Sequence, residues 1–600
     1  MIEPSWRADP QPGNPELPLW TRAIIGDMLP EAVSPLGWTM IWEPAAKGFR
    51  DCLIERLGFD DEELRDDHPE TVSLLGGFAY LNASVLRVWA DRLPALGVEQ
   101  IDPILVAGNK PLPTHQDPAW GPPDAVAAGM LGQWYDWVVS SRNQFELRRQ
   151  IDLVAEVTAA DEGLASKSDL ELIEEAIGLR PLCQRLFSQH LNQTLGAFIG
   201  PRLLNQACID VGQPAHTLRL LSGLGQIEPA SPTLALWELS RLVRESRFLS
   251  EVLAEDPEDR AGGLRRSVEP DAIALLAGVD ALIEEIAFRG PNEWDLSSPT
   301  WDEVPSIVLA MIGCLSRCED SFAPRQRRQH LEADRYRLTV EIAAALGPED
   351  RAEFVDAVQS SVAFIRGREE SRTALMRVVH RQRRLLREAA RRWVQRDELV
   401  DADDVWMLTL DELSTCAADG PGELRSVLAA RRRDYLERRD DEPLSTVWLG
   451  GEAPSDWLAD QEVPDADPFG SSALEPGDLV LGSPGSPGMA RGPARIIETV
   501  ADLADFRPGD ILVMARPVLA ATPVFVAAGA VIADAGDTFT HAVVVARELG
   551  TPMVVGARGA STRIRPGSIV NVDGLTGVIS IVPDGDVTGE GPDAPGPETG

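Results

Sequence analysis

Residues 535–550 read AGDTFTHAVVVARELG and follow the apolar run Val531–Ala533. The apolar run predicts a β-strand, and the Gly-Asp-Thr that comes next is typical of a tight turn and of a helix N-cap. Residues 542–549 have the length of a short helix, which Gly550 is suited to end in the left-handed conformation. The sequence therefore predicts a strand, a turn and a helix, with His541 in the first helical turn.

This position gives His541 a particular chemistry. The positive end of a helix opposes the imidazolium ion, so the ring is expected to be neutral and nucleophilic. The same helix end offers free N–H groups to an anion. A neutral imidazole beside an anion site is what reversible phosphoryl transfer onto nitrogen requires. A polar residue with no chemical role is the alternative, and the local pattern leaves it open.

The segment from Thr540 to Gly556 resembles the phosphohistidine swivelling domain of the PEP-utilising enzyme family. That family includes phosphoenolpyruvate synthase, pyruvate phosphate dikinase and rifampicin phosphotransferase. The resemblance covers roughly residues 475–583 and implies that His541 is phosphorylated and carried between two active sites. Thr540 keeps the hydroxyl of the usual Ser and is expected to contact substrate, while Asp537 adds a negative charge near it. Further motifs of the family flank this segment on both sides, in the order that the family has them. They are Ser486-Pro487-Gly488, 509–513, Thr522-Pro523, Val572-Asp573-Gly574 and Gly577.

Composition narrows the class of protein. The 600 residues carry a net charge of −39, which opposes binding to nucleic acid or to an anionic membrane surface. The six cysteines give no disulfide framework, and Cys314 and Cys318 are expected to be buried thiols rather than metal ligands. No metal site is predicted. Because the first 18 residues are polar and proline-rich, without a signal peptide, we expect a cytoplasmic protein.

Periodicity divides the chain into a large, mainly α-helical domain followed by a small β/α domain. Helical spacing of apolar residues dominates the middle of the chain, and short β-branched runs dominate beyond about residue 485. Residues 440–474 are rich in Asp, Pro, Gly and Ser, a composition that suits a flexible tether for a carrier domain that visits separated sites. The predicted segments are a disordered N-terminus at 1–18, a helical acceptor domain at 19–439, a linker at 440–474, the phosphohistidine mobile domain at 475–583 and a disordered tail at 584–600.

A second candidate patch lies at residues 288–296, which read FRGPNEWDL. The Gly-Pro pair predicts a bend that exposes side chains to a cleft. Glu293 or Asp295 is a candidate general base for an acceptor hydroxyl, and Arg289 is a candidate for neutralising the transferred phosphoryl group. The alternative is an Arg–carboxylate ion pair that holds the bend. The segment also resembles the family's Arg-Gly-Pro-x-Glu-x-Asp-Leu element, which implies a place in the acceptor domain.

Other family-like segments provide candidate substrate-binding residues. Arg22 lies in a segment that resembles the opening of the acceptor domain and is a candidate for holding an anion, although a surface Arg packed on Trp20 is an open alternative. Tyr80 and Asn82, in a Gly-rich segment at 75–82, are candidates for lining a pocket. Residues 323–395 are arginine-rich and helical, and we interpret them as solvated, ion-paired helices rather than a nucleic-acid surface. Residues 368–372, REESR, also resemble a family element.

The resemblance implies a phosphotransferase subunit. Family members phosphorylate the histidine with an ATP-grasp domain, and neither this domain nor a phosphate-binding Gly-rich loop is recognisable in the sequence. ATP and Mg²⁺ are therefore expected on a separate ATP-grasp partner, and the acceptor is expected to be a small organic hydroxyl compound. This arrangement resembles rifampicin phosphotransferase without its first domain, and the large subunit of phenylphosphate synthase. A phosphohistidine carrier, a regulatory protein or a degenerate relative without its own chemistry is the alternative, and ligase-like acyl phosphate chemistry is a third possibility.

Overall fold

The computed structural model describes residues 17–61, 64, 70–93, 96–105, 123–140, 144–159, 163–225, 231–254, 257–439, 447–449, 473–499, 502–503, 506–516 and 519–583. Residues 1–16 of the predicted N-terminal segment, residues 584–600 and most of the predicted linker at 440–474 lie outside the described residues. The fold class is confirmed: a large helical region precedes a small β/α domain.

Helices form most of the first 439 residues. In chain order they are α1 Ile25–Met28, α2 Pro35–Gly37, α3 Glu43–Leu57, α4 Ala83–Asp91, α5 Val98–Leu105, α6 Ala125–Ser140, α7 Phe145–Ala159, α8 Asp169–Gly178, α9 Arg180–Asp210, α10 His216–Leu220, α11 Ser231–Glu245, α12 Arg247–Leu253, α13 Pro257–Arg266, α14 Pro270–Ile286, α15 Ser306–Ser316, α16 Pro324–Ala345, α17 Pro348–Gln395, α18 Leu410–Asp419 and α19 Arg425–Arg439.

The long helices α9 and α17 pack closely at the centre of this region. Gly196 on α9 permits the contact, because a Cβ there would lie 2.3 Å from Cδ1 of Phe364 on α17. Gly200 has the same role, since its Cβ would lie 2.7 Å from the Ser361 backbone nitrogen. Because both glycines remove side-chain volume at the crossing, polar residues further along the two helices come within hydrogen-bond distance of each other.

A small antiparallel sheet lies against the helices. Among the described residues its strand order is β2 (Val72–Leu75), β3 (Phe78–Asn82), β1 (Leu19–Thr21) and β4 (Val447–Leu449). In its register, Trp20 lies opposite Asn82 and also opposite Trp448. The strand β4 falls inside the predicted linker, so at least these three residues pair with the helical region's sheet.

The C-terminal domain is built on a mixed sheet with helices. Within the described residues the strand order is β5-β12-β11-β7-β8-β9-β10-β6, and the central strands β7, β8, β9 and β10 are parallel. The strands are β5 Leu479–Leu481, β6 Ser483–Ser486, β7 Met489–Ile496, β8 Ile511–Met514, β9 Ala530–Ala533, β10 Met553–Val555, β11 Ile569–Asp573 and β12 Val578–Ile581, with helices α20 His541–Leu549 and α21 Ala560–Arg563. The short β-branched runs predicted as strands are thus confirmed.

The two regions share a hydrophobic core. Helix α15 packs on the 3₁₀ segment Leu519–Ala527 of the C-terminal domain, and their side chains belong to one buried cluster. Polar contacts cross the same boundary: Arg317 donates to the Leu503 and Phe506 carbonyls at 3.1 and 2.8 Å. The structure therefore has the C-terminal domain docked on the helical region.

Candidate functional site

His541 is the first residue of α20, directly after the turn that follows β9. Gly536 takes a φ of +104° in that turn, a conformation suited to glycine. Gly550 ends the helix at φ +64°, with its N–H bonded to the Ala546 carbonyl. The predicted strand, turn and helix are confirmed, and they place His541 at the docked boundary with the helical region.

The cap of this helix differs from the prediction. Thr540 is the N-cap residue, and its hydroxyl donates to the Asp537 carbonyl at 3.0 Å instead of capping the helix. The Asp537 carboxylate accepts from the Phe539 N–H at 2.6 Å. The prediction of N-cap chemistry at residues 536–538 was wrong because the Asp537 side chain closes its own Asx turn, which competes with capping. Burial raises the pKa of Asp537 against the opposing effects of the Phe539 N–H and Arg368.

Two residues of α17 contact the imidazole ring of His541. Nδ1 lies 2.6 Å from Glu369 Oε2, and Arg372 Nη1 lies 3.1 Å from Nε2. An ionised carboxylate only accepts hydrogen bonds, so the proton of the neutral ring is on Nδ1. Nε2 therefore keeps its lone pair and lies beside a guanidinium group, the geometry expected of a nitrogen that receives an anionic phosphoryl group.

The protonation states fit this geometry. Burial and then Arg372 lower the pKa of His541 to about 4, while Glu369 acts in the opposite direction. Burial opposes ionisation of Glu369, but His541, Arg368 and Arg372 hold its pKa well below the ordinary value. His541 is thus neutral at neutral pH, as the sequence predicted, although burial and a guanidinium group are the main causes rather than the helix dipole.

Arg289 and Glu293 form a buried chain of charges that ends at Arg372. Arg289 Nη1 lies 3.2 Å from Glu293 Oε1, and Arg372 Nη2 lies 3.1 Å from Glu293 Oε2. Arg372 therefore bridges Glu293 and His541. The ion pair that sequence reasoning left as an alternative is present, and it connects the bend at residue 290 to the histidine through one guanidinium group.

Asp295 lies in the same loop but contacts other groups. Its Oδ2 accepts from the Ser34 N–H at 2.8 Å, and its Oδ1 accepts from the Ser34 hydroxyl and the Ser297 N–H, both at 2.7 Å. Ser34 is the N-cap of α2. These contacts hold the start of α2 against the loop, so the role of Asp295 here is structural.

Arg22 and Tyr80 are also held by structural contacts. Arg22 is 4% exposed, and it donates to the Ala79 and Leu29 carbonyls at 3.0 and 2.9 Å. Its guanidinium carbon lies 5.7 Å from the centre of the Tyr80 ring and 4.9 Å from that of Phe78. The alternative of a surface Arg packed on Trp20 is therefore wrong, since Arg22 is buried among backbone carbonyls.

A cavity of about 970 Å³, mouth included, opens beside His541. Thr540 and His541 line it from the C-terminal domain, and Arg368, Arg372 and His190 line it from the helical region. Asn82 lines an adjoining apolar cavity, while its own amide donates to the Leu17 carbonyl at 3.1 Å and its Oδ1 accepts from Val85 N–H at 3.1 Å. The structure thus brings His541, Thr540, Arg289 and Glu293 together with α17, and places Arg22, Tyr80 and Asp295 elsewhere.

Sequence reasoning gave no role to Glu369, Arg372, Arg368 or His190. Arg368 Nη1 donates to the Phe539 carbonyl at 2.8 Å and lies 3.2 Å from Glu369 Oε1. The residues at 368–372 had been noted for their resemblance to a family element, and their i, i+4 spacing puts Arg368 and Arg372 on one face of a helix. The overall richness of this helix in arginine concealed the signal.

The comparisons with known proteins agree with this arrangement. Residues 189–369 match the family model for the rifampicin phosphotransferase fourth domain, and residues 506–577 match that for the PEP-utilising enzyme mobile domain. The chain is 30% identical over 369 residues to chondramide synthase cmdD of Chondromyces crocatus, covering 58% of this chain and 9% of that protein. It is 27% identical over 371 residues to the uncharacterized phosphotransferase YvkC of Bacillus subtilis, covering 61% of this chain and 43% of that protein.

A further relative is the rifampicin phosphotransferase of Streptomyces sviceus, 26% identical over 355 residues, covering 58% of this chain and 39% of that protein. The chain thus spans less than half the length of these relatives.

Among the described residues, no helix is long and apolar enough to cross a membrane, and no cluster of His, Cys, Asp and Glu is suited to hold a metal ion. The two family models and the named relatives support the resemblance of this chain to the PEP-utilising enzyme family, over parts of the helical region and of the C-terminal domain.

Proposed function

We propose that this protein is a phosphotransferase subunit in which Nε2 of His541 carries a phosphoryl group to the hydroxyl of a small organic acceptor. The observation that carries the proposal is the His541–Glu369–Arg372 contact. The 2.6 Å contact with Glu369 keeps the ring proton on Nδ1, and Arg372 lies 3.1 Å from Nε2 at the wall of a cavity. An unprotonated ring nitrogen, a cation for the phosphoryl oxygens and space for an acceptor therefore meet at one place.

The surrounding charges have distinct proposed roles. Arg368 and Arg372 neutralise the phosphoryl oxygens as the acceptor oxygen attacks phosphorus. Glu369 holds the Nδ1 proton, which makes His541 a neutral imidazole when the N–P bond breaks. Arg289 and Glu293 are positioning residues, because they act on Arg372 through the 3.2 and 3.1 Å contacts rather than on the cavity. Thr540 positions the turn at the start of the helix, and Asp295 holds the neighbouring loop.

In this proposal a separate cytoplasmic ATP-grasp protein binds ATP and Mg²⁺ and donates the phosphoryl group to His541. The side chain of His541 is only 10% exposed in the docked arrangement, so the C-terminal domain has to leave the helical region to reach such a donor. The chain between α19 and β5 includes most of the predicted linker, whose length suits this movement.

The direct test is the mass of the intact chain purified from its host under alkaline conditions. A gain of one phosphoryl group that acid removes, and that is missing in His541→Ala, is the expected result. His330→Gln, a change at an exposed histidine on α16, is the matched control and should keep the modification. If the wild-type chain stays unmodified after incubation with host extract and ATP, the proposal is wrong.

The position of Asp537 favours one other candidate function. Asp537 is among the residues that line the cavity beside His541, so its carboxyl, when ionised, would repel an arriving phosphoryl dianion. A carrier or regulatory protein without its own transfer chemistry would tolerate this charge. A chain that is phosphorylated on His541 but transfers nothing to any hydroxyl compound would support this second function.

A further inference from the structure

A second cavity, here called the inner cavity, adjoins the one at His541. Its volume is about 770 Å³, mouth included, and both cavities are lined by Ile24, Met28, His190, Thr194 and Phe198. His190 on α9 is therefore at the junction, with the phosphohistidine site on one side and the inner cavity on the other. It is 7% exposed, so its ring belongs to the cavity wall rather than to the outer surface.

Hydrogen bonds to α17 determine the tautomer of His190. Its Nδ1 lies 3.0 Å from the Ser371 hydroxyl oxygen, and that hydroxyl donates its single proton to the Arg368 carbonyl at 2.9 Å. Ser371 can therefore only accept from His190. The ring proton is on Nδ1, which leaves a lone pair on Nε2. His541 has the same tautomer through Glu369, so two imidazole rings with unprotonated Nε2 atoms line one cavity.

The walls of the inner cavity indicate what kind of molecule fits it. They are formed mainly by apolar side chains, and the few polar ones are already bonded: Thr71 donates to the Ala46 carbonyl at 3.0 Å, and Asn82 is bonded through both ends of its amide. No charged side chain is among the residues that line it. A charged group would lose its hydration there without compensation. The apolar lining includes Trp42, Phe49, Leu53, Leu81, Leu86 and Leu195.

Resting on the proposed function, we infer that His190 is the base that accepts the acceptor's hydroxyl proton, and that the acceptor is an uncharged apolar alcohol or phenol whose hydrocarbon body occupies the inner cavity. Its hydroxyl then lies at the junction, between His190 and the phosphoryl group on His541. Ser371 is a positioning residue, because it acts by holding the His190 tautomer.

The transfer step balances with these residues alone. The acceptor oxygen forms a bond to phosphorus while the bond between phosphorus and His541 Nε2 breaks, and that electron pair returns to Nε2. The hydroxyl proton moves to Nε2 of His190, which becomes an imidazolium ion and later releases the proton to solvent. The products are a phosphate monoester and a neutral His541 whose Nδ1 proton remains on the hydrogen bond to Glu369.

The local charges allow His190 to act as a base when His541 carries a phosphoryl group. Burial and then Arg368 lower its pKa to about 3, with Arg372 acting in the same direction, so the ring starts neutral. A phosphoryl dianion beside Arg368 and Arg372 offsets both positive charges. The pKa of His190 then rises from its lowered value, since the part of the lowering that comes from Arg368 and Arg372 is compensated while the effect of burial remains.

The experiment loads His541 chemically with phosphoramidate, which removes the need for the partner. The phosphorylated chain is then mixed with 2-naphthol, or with glycerol as the polar comparison, and naphthyl phosphate and phospho-His541 are measured over time. We expect naphthyl phosphate with naphthol and no comparable transfer to glycerol. His190→Gln should slow the transfer about 100-fold, the scale of general base catalysis, with loading of His541 unchanged.

The controls separate this inference from the proposed function. His330→Gln on the exposed face of α16 should transfer like the wild type. Failure to load His541, or loading without transfer to either compound, contradicts the proposed function. Equal transfer to glycerol overturns the acceptor class, and wild-type transfer by His190→Gln overturns the base. If His190→Gln does not fold, Ser371→Ala decides: a slower transfer with an altered pH profile supports the inference, and an unchanged rate and profile refute it.

Discussion

Glu369→Gln tests whether the carboxylate opposite His541 controls phosphoryl transfer. The substitution keeps the size of the side chain and removes the charge that accepts the 2.6 Å hydrogen bond from Nδ1. A Gln amide can turn its NH₂ group toward the ring and donate to Nδ1. The ring proton would then be on Nε2, the nitrogen that must be free to receive the phosphoryl group.

The size of the effect follows from the bond that is lost. A hydrogen bond to a charged group contributes about 1.5–3 kcal/mol. If this contribution is made in the transition state, its loss slows phosphorylation of His541 about 10- to 150-fold. Glu369 is also the neighbour that raises the pKa of His541, so this pKa should fall further below about 4 in the variant.

The assay is the rate at which phosphoramidate modifies His541, with ¹⁵N NMR of the imidazole to read the tautomer. Glu353→Gln, an exposed position on the same helix, is the matched control and should behave like the wild type. A Glu369→Gln chain that is phosphorylated at the wild-type rate, with the proton still on Nδ1, would refute the reasoning.

Three further predictions concern the contacts around the site. Arg372→Lys keeps the charge but cannot bridge Glu293 and His541, so transfer from loaded His541 to naphthol should fall about 100-fold in the folded variant. Asp295→Ala leaves the Ser34 N–H and hydroxyl without their acceptor and should lower the free energy of unfolding by about 2–4 kcal/mol in urea titrations, where an unchanged midpoint would contradict the structural role. Burial raises the pKa of Glu548 from 4.5 to about 7, so the folded chain binds this proton more tightly and stability should decrease as pH rises from about 4.5 to about 7; Glu548→Gln should remove this slope in melts across that range.

The local structure at His541 could be predicted from sequence because it depends on neighbours in the chain. An apolar run, a turn with Gly536 and a helix ended by Gly550 each have local causes. The cap could not be predicted, because an Asp side chain can either cap a helix or close an Asx turn, and the local sequence does not decide between the two. Similarly, the bend at residues 290–291 was predicted, but the bonding of Asp295 to Ser34 joins positions 261 residues apart.

The same reasoning explains why the histidine was found while its neighbours were missed. Its contacts with Glu369 and Arg372 span 172 and 169 residues, and they exist only because the C-terminal domain docks on α17. In an arginine-rich helix, the sequence pattern predicts that every charged side chain is exposed to solvent, because exposure has the lower free energy in an isolated helix. Burying Glu369 and Arg372 is unfavourable unless opposite charges meet them. Arg381 and Arg383 of the same helix are also buried, against Glu175 and Glu303, so burial indicates a site only together with the contacts to His541. The proposed chemistry therefore belongs to the interface between the two regions, because each region contributes some of the side chains that contact His541 or line its cavity.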